Sequence, residues 1–290
     1  MTTFYLKAFA PEVPVLIPSH LQSAITEEKL LAWPHFTKWH TTLKSSIALQ
    51  SDASHAFHKS PYYLKSVEIL SVSMFGPRIG FVKLKANVVN INDENDTLPG
   101  IAFLRGSAVA MLMILRPSDS RDERWVIMTE QPRIPAGSLS FLEIPAGMMD
   151  EHGEVKGQAV AEIQEETRLV VPKHELINLT ELAIAGASSK GGKEETHNVI
   201  KENLAMGMYP SPGGSDEFIH ILLWEKELDR QEIEDLRGKF TGLRTQQEKI
   251  VVRLLNYEEL WQIGARDAKT LAAWSLYEAL KRDGEIKVEW

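Results

Sequence analysis

The chain has 290 residues, of which 43% are hydrophobic and 25% are charged, and these ordinary proportions exclude a disordered chain, a collagen-like repeat and a coiled-coil rod. Forty acidic residues against 32 basic ones give a net charge of −8, which argues against a protein that mainly binds the backbone of DNA or RNA. The absence of cysteine excludes disulfides, a thiol nucleophile, a cysteine-ligated zinc site and an iron–sulfur cluster.

Two features concern membranes and targeting. Apolar runs such as Ala108–Leu115 are far shorter than the roughly 20 residues that a membrane-spanning helix needs. The segment Met1–Val15 lacks the charged and apolar regions of a secretory signal. The sequence therefore predicts a protein that does not cross a membrane and that is located in the cytoplasm.

The first third of the chain predicts a small domain. An apolar segment at Val13–Ile17 precedes two helices, one at Thr26–Trp33 and a second from Pro34 to about Leu49. From Ser66 to Arg105 the chain is rich in Val, Ile and Phe and alternates in polarity, as half-buried strands do. We predict a helix-plus-antiparallel-sheet domain over residues 1–105.

Residues 106–290 predict a second domain of mixed α/β type. The predicted strands are Val109–Leu115, Trp125–Thr129, Phe141–Ile144, Glu181–Ala185, Phe218–Trp224 and Lys249–Leu255. The predicted helices are Val155–Leu169, Tyr257–Trp261 and Ala268–Lys281, and Gly186–Asn203 is predicted to be a long exposed loop. This order indicates a layered α/β structure and not a doubly wound parallel sheet.

The helix at Val155–Leu169 carries three acids on one face. Glu162, Glu165 and Glu166 have i, i+3, i+4 spacing, and like charges so placed repel by a few tenths of a kcal/mol each. A divalent cation such as Mg²⁺ would reverse this repulsion, because it binds oxygen ligands. The preceding turn at Pro145–Gly147 can aim a backbone carbonyl at the same ion, whereas the alternative interpretation is a solvated acidic face.

This stretch resembles the Nudix box, G-x5-E-x7-R-E-U-x-E-E-x-G-U. The residues in register are Gly147, Glu162, Ile163, Glu165, Glu166 and Leu169. Further segments resemble the ADP-sugar and ADP-ribose diphosphatases of that superfamily, most of all those of plant type: Met74–Phe81, Pro99–Gly106, Glu130–Arg133, Leu142–Gly147, Ser211–Glu217 and Thr241–Arg244.

The resemblance implies a Nudix α/β/α sandwich that hydrolyses ADP-glucose or ADP-ribose to AMP and a sugar phosphate. It implies Mg²⁺ as the cofactor, with Mn²⁺ as a possible substitute. It also implies a homodimer formed through the N-terminal domain, which would contribute to the nucleotide-sugar pocket. Neither a nucleic acid nor a membrane is expected as a partner.

The resemblance also implies roles for the acids. Glu162 and Glu166 would bind the metal with the carbonyl of Ala146, and Glu165 would be either a third ligand or a bridge through water. Glu166 is also predicted to be a catalytic residue. Glu217 would be the general base. The alternatives are structural ion pairs for the helix acids and a loop-capping role for Glu217, with Asp216 and Asp150 as rival bases.

Three further residues are candidates for substrate binding. Arg133 is the candidate phosphate anchor, because a guanidinium matches phosphate oxygens in a bidentate fork, and a surface salt bridge is its alternative. Glu143 is interpreted as a buried polar contact or an accessory metal or sugar ligand. Arg105 is a candidate that could reach across from a partner subunit, although a purely structural role is the favoured interpretation.

The box departs from the pattern at three positions. Gly153 stands where the first glutamate belongs, with Glu154 one residue late, Ala161 replaces the arginine, and Arg168 replaces the glycine near the helix end. A nucleotide-sugar-binding or regulatory protein with weakened catalysis therefore remains an alternative, and a UDP-sugar diphosphatase is another.

Overall fold

The computed structural model describes residues 1–149, 154–189, 202–242 and 249–287, which form two compact units. The first unit contains residues 1–106, 202–205 and Ser211–Glu217, and the second contains the other described residues. The sequence analysis assigned Ser211–Glu217 to the second domain, but this segment hydrogen-bonds to Phe103 and Arg105. Asp150 and Gly153 lie outside the described residues.

The first unit contains a mixed sheet and two helices. Its elements are β1 (Thr2–Leu6), β2 (Val13–Ile17), α1 (Glu27–Ala32), α2 (Pro34–Ala48), β3 (Tyr62–Phe75), β4 (Arg78–Asn90), β5 (Thr97–Leu98) and β6 (Ile101–Leu104). The sheet order is β1-β2-β3-β4-β5, with β6 also paired to β4. The prediction of a purely antiparallel sheet is wrong at one pair: β2 and β3 are parallel, because the helical connection α1–α2 returns the chain to the same end of the sheet.

The helices of the first unit cover one face of this sheet. Leu30 and Phe36 lie in a core with Val15, Val67 and Leu84. Thr26 caps α1 by accepting a hydrogen bond from the Lys29 N–H at 3.3 Å, and Pro34 occupies the first turn of α2, where its missing N–H costs nothing.

The second unit contains a larger mixed sheet. Its elements are β7 (Ser107–Pro117), β8 (Trp125–Arg133), β9 (Ser138–Glu143), β10 (Ala146–Met148), α3 (Val155–Thr167), β11 (Ile177–Asn178), α4 (Leu179–Ser189), β12 (Phe218–Leu228), α5 (Arg230–Glu234), β13 (Phe240–Thr241), β14 (Ile250–Asn256), α6 (Leu260–Ile263) and α7 (Ala268–Arg282). The sheet order is β11-β12-β7-β8-β14-β13, β10 also pairs with β7, and β9 also pairs with β8. Strands β7 and β12 are parallel, and the other described pairs of this sheet are antiparallel.

Strand β7 is buried on both faces, and its alternating side chains enter two separate cores. On one face Leu112 lies in a core with Leu179 of α4 and Tyr277 of α7. On the other face Met113 lies in a core with Ile163 of α3 and Ile233 of α5. Helices therefore cover both faces of the sheet, which confirms the predicted α/β/α sandwich.

One predicted strand is wrong. Glu181–Ala185 belongs to helix α4, whose first turn is capped by the Asn178 side chain accepting from the Glu181 N–H at 3.1 Å. A short apolar run fits a strand or a buried helix equally well, and this cap favours the helix. The predicted loop at Gly186–Asn203 begins inside α4, and residues 190–201 lie outside the described part.

None of the helices that the structure describes combines the length and the apolar composition of a membrane span.

Candidate active site

Helix α3 meets strand β10 at the Nudix-like box. Ala159 and Ile163 anchor α3 in the core below the sheet, which leaves Glu162 and Glu166, one turn apart, beside β10. The Glu162 carboxyl lies against the backbone of Gly147 so closely that a Cβ at position 147 would overlap it. The structure therefore brings the predicted ligands Glu162 and Glu166 to the segment that contains Ala146.

Glu166 is buried and hydrogen-bonded. Its carboxylate accepts from the backbone N–H of Ala146 at 3.1 Å and from the side-chain amide of Gln131 at 3.2 Å. Burial raises the pKa of Glu166, the negative charge of Glu162 raises it further, and together they bring it to about 8 although the two hydrogen bonds act in the opposite direction. The charge of Glu143 contributes in the same sense as that of Glu162.

The chemistry of this pair fits a hard divalent cation. Mg²⁺ takes oxygen ligands and keeps several waters, so one or two carboxylates are enough to hold it. Glu162 and Glu166 would be those carboxylates. Within the described ranges, no three side chains of Asp, Glu, His or Cys come together as a ready metal cage.

Glu165 has a different environment from its two neighbours. Its side chain is half-buried, and its backbone carbonyl accepts from the Gly242 N–H at 3.3 Å. The next carbonyl, that of Glu166, accepts from the Thr241 hydroxyl. These bonds attach the end of α3 to β13, and the role of Glu165 as a third ligand stays a prediction.

Arg133 and Glu143 form an ion pair. The Arg133 Nε donates to Glu143 at 2.5 Å, and the Arg133 side chain is 39% exposed whereas that of Glu143 is 2% exposed. Glu143 also accepts from Lys269 Nζ at 2.8 Å. Glu143 thus makes a buried polar contact, one of the two roles that the sequence left open, and the Arg133 side chain is partly exposed.

The candidate base lies in the first unit. Glu217 forms an ion pair with Arg105 at 3.2 Å, within the same chain. The neighbouring carboxylate of Asp216 accepts from the backbone N–H groups of Arg105 at 2.7 Å and Gly106 at 3.3 Å, so Asp216 holds the loop against the end of β6. The predicted contact of Arg105 with a partner subunit stays a prediction.

The three departures from the box have structural consequences. Ala161 is exposed on α3, and Glu154 is exposed and pairs with Lys173. Arg168 ends α3 with a φ of +66°, the one non-glycine residue with positive φ in the described part of the chain. The glycine of the box is thus replaced by a side chain in a left-handed conformation.

Sequence reasoning missed two residues of this region. Gln131 lies two residues after Thr129 on β8, and both are buried. Strand periodicity therefore predicts that the two side chains share one face of the sheet. Lys269 lies 126 residues from Glu143 in sequence, and no local pattern indicates their contact.

Comparison with known proteins identifies the family of the chain. No family model matches it. It is 37% identical over 252 residues to Nudix hydrolase 14, chloroplastic, of Arabidopsis thaliana, an alignment that covers 87% of this chain and 72% of that protein. The chain belongs to the Nudix hydrolase family. The Nudix resemblance of the sequence is therefore confirmed.

A solved structure described as an ADP compounds hydrolase is 14% identical to the chain. It covers 78% of this chain and 97% of its own length, with a TM-score of 0.46.

Proposed function

We propose that the chain is a Mg²⁺-dependent diphosphatase that splits an ADP-sugar into AMP and a sugar phosphate, with ADP-glucose and ADP-ribose as the candidate substrates. Membership of the Nudix hydrolase family supports hydrolysis of a nucleoside diphosphate compound. The segments that resemble the ADP-sugar branch, such as Ser211–Glu217, support the substrate class. Mn²⁺ is a possible substitute for Mg²⁺.

The pair of carboxylates at Glu162 and Glu166 is the observation that carries this proposal. Each charge disfavours the other, and Glu166 is buried as well, an arrangement that costs folding free energy unless a cation relieves it. When bound, Mg²⁺ supplies positive charge that neutralises phosphate oxygens and favours attack by water. Glu162 and Glu166 would hold and orient it.

The other candidates would act on the substrate. Because the Arg133 Nε donates to Glu143, its guanidinium is oriented, and its terminal NH₂ groups are the ones that we propose to bind the diphosphate. Glu217, oriented by Arg105, is the proposed general base that accepts a proton from the attacking water.

A second candidate function is nucleotide-sugar binding without efficient turnover. The exposed Ala161 on α3 favours it, because the resemblance implies an arginine there that helps to orient a metal-binding glutamate. Retention of Glu162, Glu165, Glu166 and Glu217 favours the enzyme, since a protein that only binds an anionic ligand gains nothing from carboxylates that repel it.

A hydrolysis panel tests the proposal. ADP-glucose, ADP-ribose, UDP-glucose and NADH are each incubated with the protein in Mg²⁺ and, as a control, in excess chelator, and the products are separated by chromatography. We expect AMP to form from an ADP-sugar much faster than any product forms from UDP-glucose or NADH, and we expect no turnover in chelator. Preferred release of UMP would indicate a UDP-sugar diphosphatase, and calorimetric binding without turnover would indicate the binding protein.

A further inference from the structure

A buried cluster of charges lies beside the carboxylate pair, and we call Glu143, Asp267 and Lys269 the Lys269 cluster. Lys269 Nζ is 2.8 Å from a carboxylate oxygen of Glu143 and 2.8 Å from one of Asp267. The three side chains are 2%, 5% and 16% exposed for Glu143, Asp267 and Lys269. Buried charges at this density are stable only when they are paired.

Hydrogen bonds from helix α7 and from the end of strand β9 fix the positions of the cluster side chains. Asp267 caps α7 by accepting from the Thr270 N–H at 3.1 Å and the Thr270 hydroxyl at 2.7 Å. The same hydroxyl accepts from the Ile144 N–H at 3.2 Å, in the connection between β9 and β10. The ammonium is thereby fixed next to the segment that contains Ala146.

Lys269 remains a cation in this environment. Burial on its own would lower the pKa of Lys269, but the charges of Glu143 and Asp267 more than offset burial and raise the pKa above its ordinary value. Lys269 is therefore a constant positive charge at neutral pH.

The charges around Glu143 are balanced only when Lys269 is present. Glu143 and Asp267 contribute two negative charges, and Lys269 and Arg133 contribute two positive ones. Without Lys269, the two carboxylates would be offset only by Arg133, which leaves a net charge of −1.

We propose that Lys269 is a positioning residue that offsets the charge of Glu143, so that Arg133 remains available to an anionic diphosphate. This inference rests on the proposed function, and Lys269 acts through Glu143 and Arg133 without touching the substrate. It makes a prediction that a purely structural role does not make. Removing the cation weakens binding of an anion and does not weaken binding of a metal cation.

The first measurement uses Lys269→Met, which keeps most of the side-chain volume and removes the charge. We expect the KM for the preferred ADP-sugar, and its calorimetric Kd, to rise about tenfold or more, while kcat changes by less than about threefold. The Kd for Mn²⁺ alone, measured on the substrate-free protein, is expected not to rise. Lys281→Met is the matched control, because it removes one lysine charge at the exposed end of the same helix.

Two further variants separate charge from packing. Lys269→Arg keeps the cation and is expected to keep KM within about threefold of the wild-type value. The neutral pair Lys269→Met with Glu143→Gln leaves no unpaired carboxylate at position 143, so we expect it to remain folded and to recover part of the affinity lost in Lys269→Met.

The outcomes distinguish this inference from the proposed function. An unchanged KM and Kd for the ADP-sugar in Lys269→Met would overturn the inference. An equal loss of affinity for the ADP-sugar and for Mn²⁺ that persists when Glu143→Gln is added would also overturn it. If the wild-type protein binds an ADP-sugar without hydrolysing it, the proposed function fails, and the calorimetric Kd values still decide the role of Lys269.

Discussion

At the scale of single residues, the environment of the buried Glu166 carboxylate combines two hydrogen bonds with one repulsive charge. The carboxylate of Glu166 accepts two hydrogen bonds, from Gln131 and from the backbone of Ala146, while it faces the charge of Glu162. Hydrogen bonds satisfy its oxygens but do not remove the repulsion between two carboxylates. This arrangement supports the proposal that Glu166 binds a cation.

Glu166→Gln tests this interpretation. We expect the variant to lose activity by about 100-fold or more, since one metal ligand is lost. The melting temperature of the variant without metal is expected not to fall. The new amide at position 166 carries no charge for Glu162 to repel, and the Gln131 amide can rotate so that its oxygen accepts a hydrogen bond from the new amide. Steady-state kinetics and thermal unfolding measure both.

Glu181→Gln serves as the control for Glu166→Gln, because it makes the same change at an exposed position on α4. Undiminished turnover in Glu166→Gln would show that the metal assignment is wrong.

At the scale of elements, the site depends on the close approach of α3 to β10 and on the way in which α3 ends. Gly147 has no side chain to keep the strand and the Glu162 carboxyl apart. At the C-terminal end of the helix, the carbonyls of Glu165 and Glu166 accept from Gly242 and Thr241, and Arg168 turns the chain with a positive φ. The contact in the middle of the helix and the contacts at its end therefore constrain where the helix places its acids.

Gly147→Ala is expected to displace Glu162. The added Cβ overlaps the carboxyl, which is the end of a flexible side chain and can turn aside at little cost, so we expect a loss of activity of about tenfold or more with a change in stability below about 1 kcal/mol. Kinetics and urea denaturation measure the two effects. Gly186→Ala on α4 is the control, because a Cβ there meets no atom within 4 Å, and equal behaviour of the two variants would contradict the prediction.

Arg168→Gly is expected to stabilise the second unit. A side chain in the left-handed region costs roughly 1–2 kcal/mol, and the greater freedom of glycine in the unfolded chain offsets part of the gain, which leaves about 1 kcal/mol. Urea denaturation measures the free energy of unfolding. Arg168→Ala keeps a Cβ and should show no such gain, so the strain argument fails if glycine and alanine are equivalent.

At the scale of the whole molecule, the candidate residues are divided between two units with separate cores. Glu217 and Arg105 belong to the first unit, and Glu162, Glu165 and Glu166, the proposed metal ligands, belong to the second. The Ser211–Glu217 segment joins the first unit through β6, although it lies more than 100 residues later in sequence. The predicted cytoplasmic location stays a prediction, and the named relative is chloroplastic.

We propose that the protein is a homodimer formed through the first unit. Light scattering on the full chain is expected to give a mass twice the 32.7 kDa of one chain, and cross-links between subunits should map to residues 1–105. Dilution toward nanomolar concentration is the control for weak association. A single-chain mass at micromolar concentration, or cross-links confined to the second unit, would contradict the proposal.

The sequence by itself determined the features that depend on neighbours along the chain. The shared face of Glu162, Glu165 and Glu166 on α3 and the apolar face of α7 follow from periodicity, because a helix sets the direction of each side chain. The strand predicted at Glu181–Ala185 failed because a short apolar run has no unique period, and a cap decided its conformation.

Only the tertiary structure decided the contacts between distant segments. Lys269 reaches Glu143 across 126 residues, and Asp216 reaches Arg105 across 111. These contacts depend on strand register and on the packing of helices against the sheets, neither of which is set by the residues next to each partner. The same packing buries Glu166 and raises its pKa. The spacing of the three glutamates in the sequence could not indicate this burial.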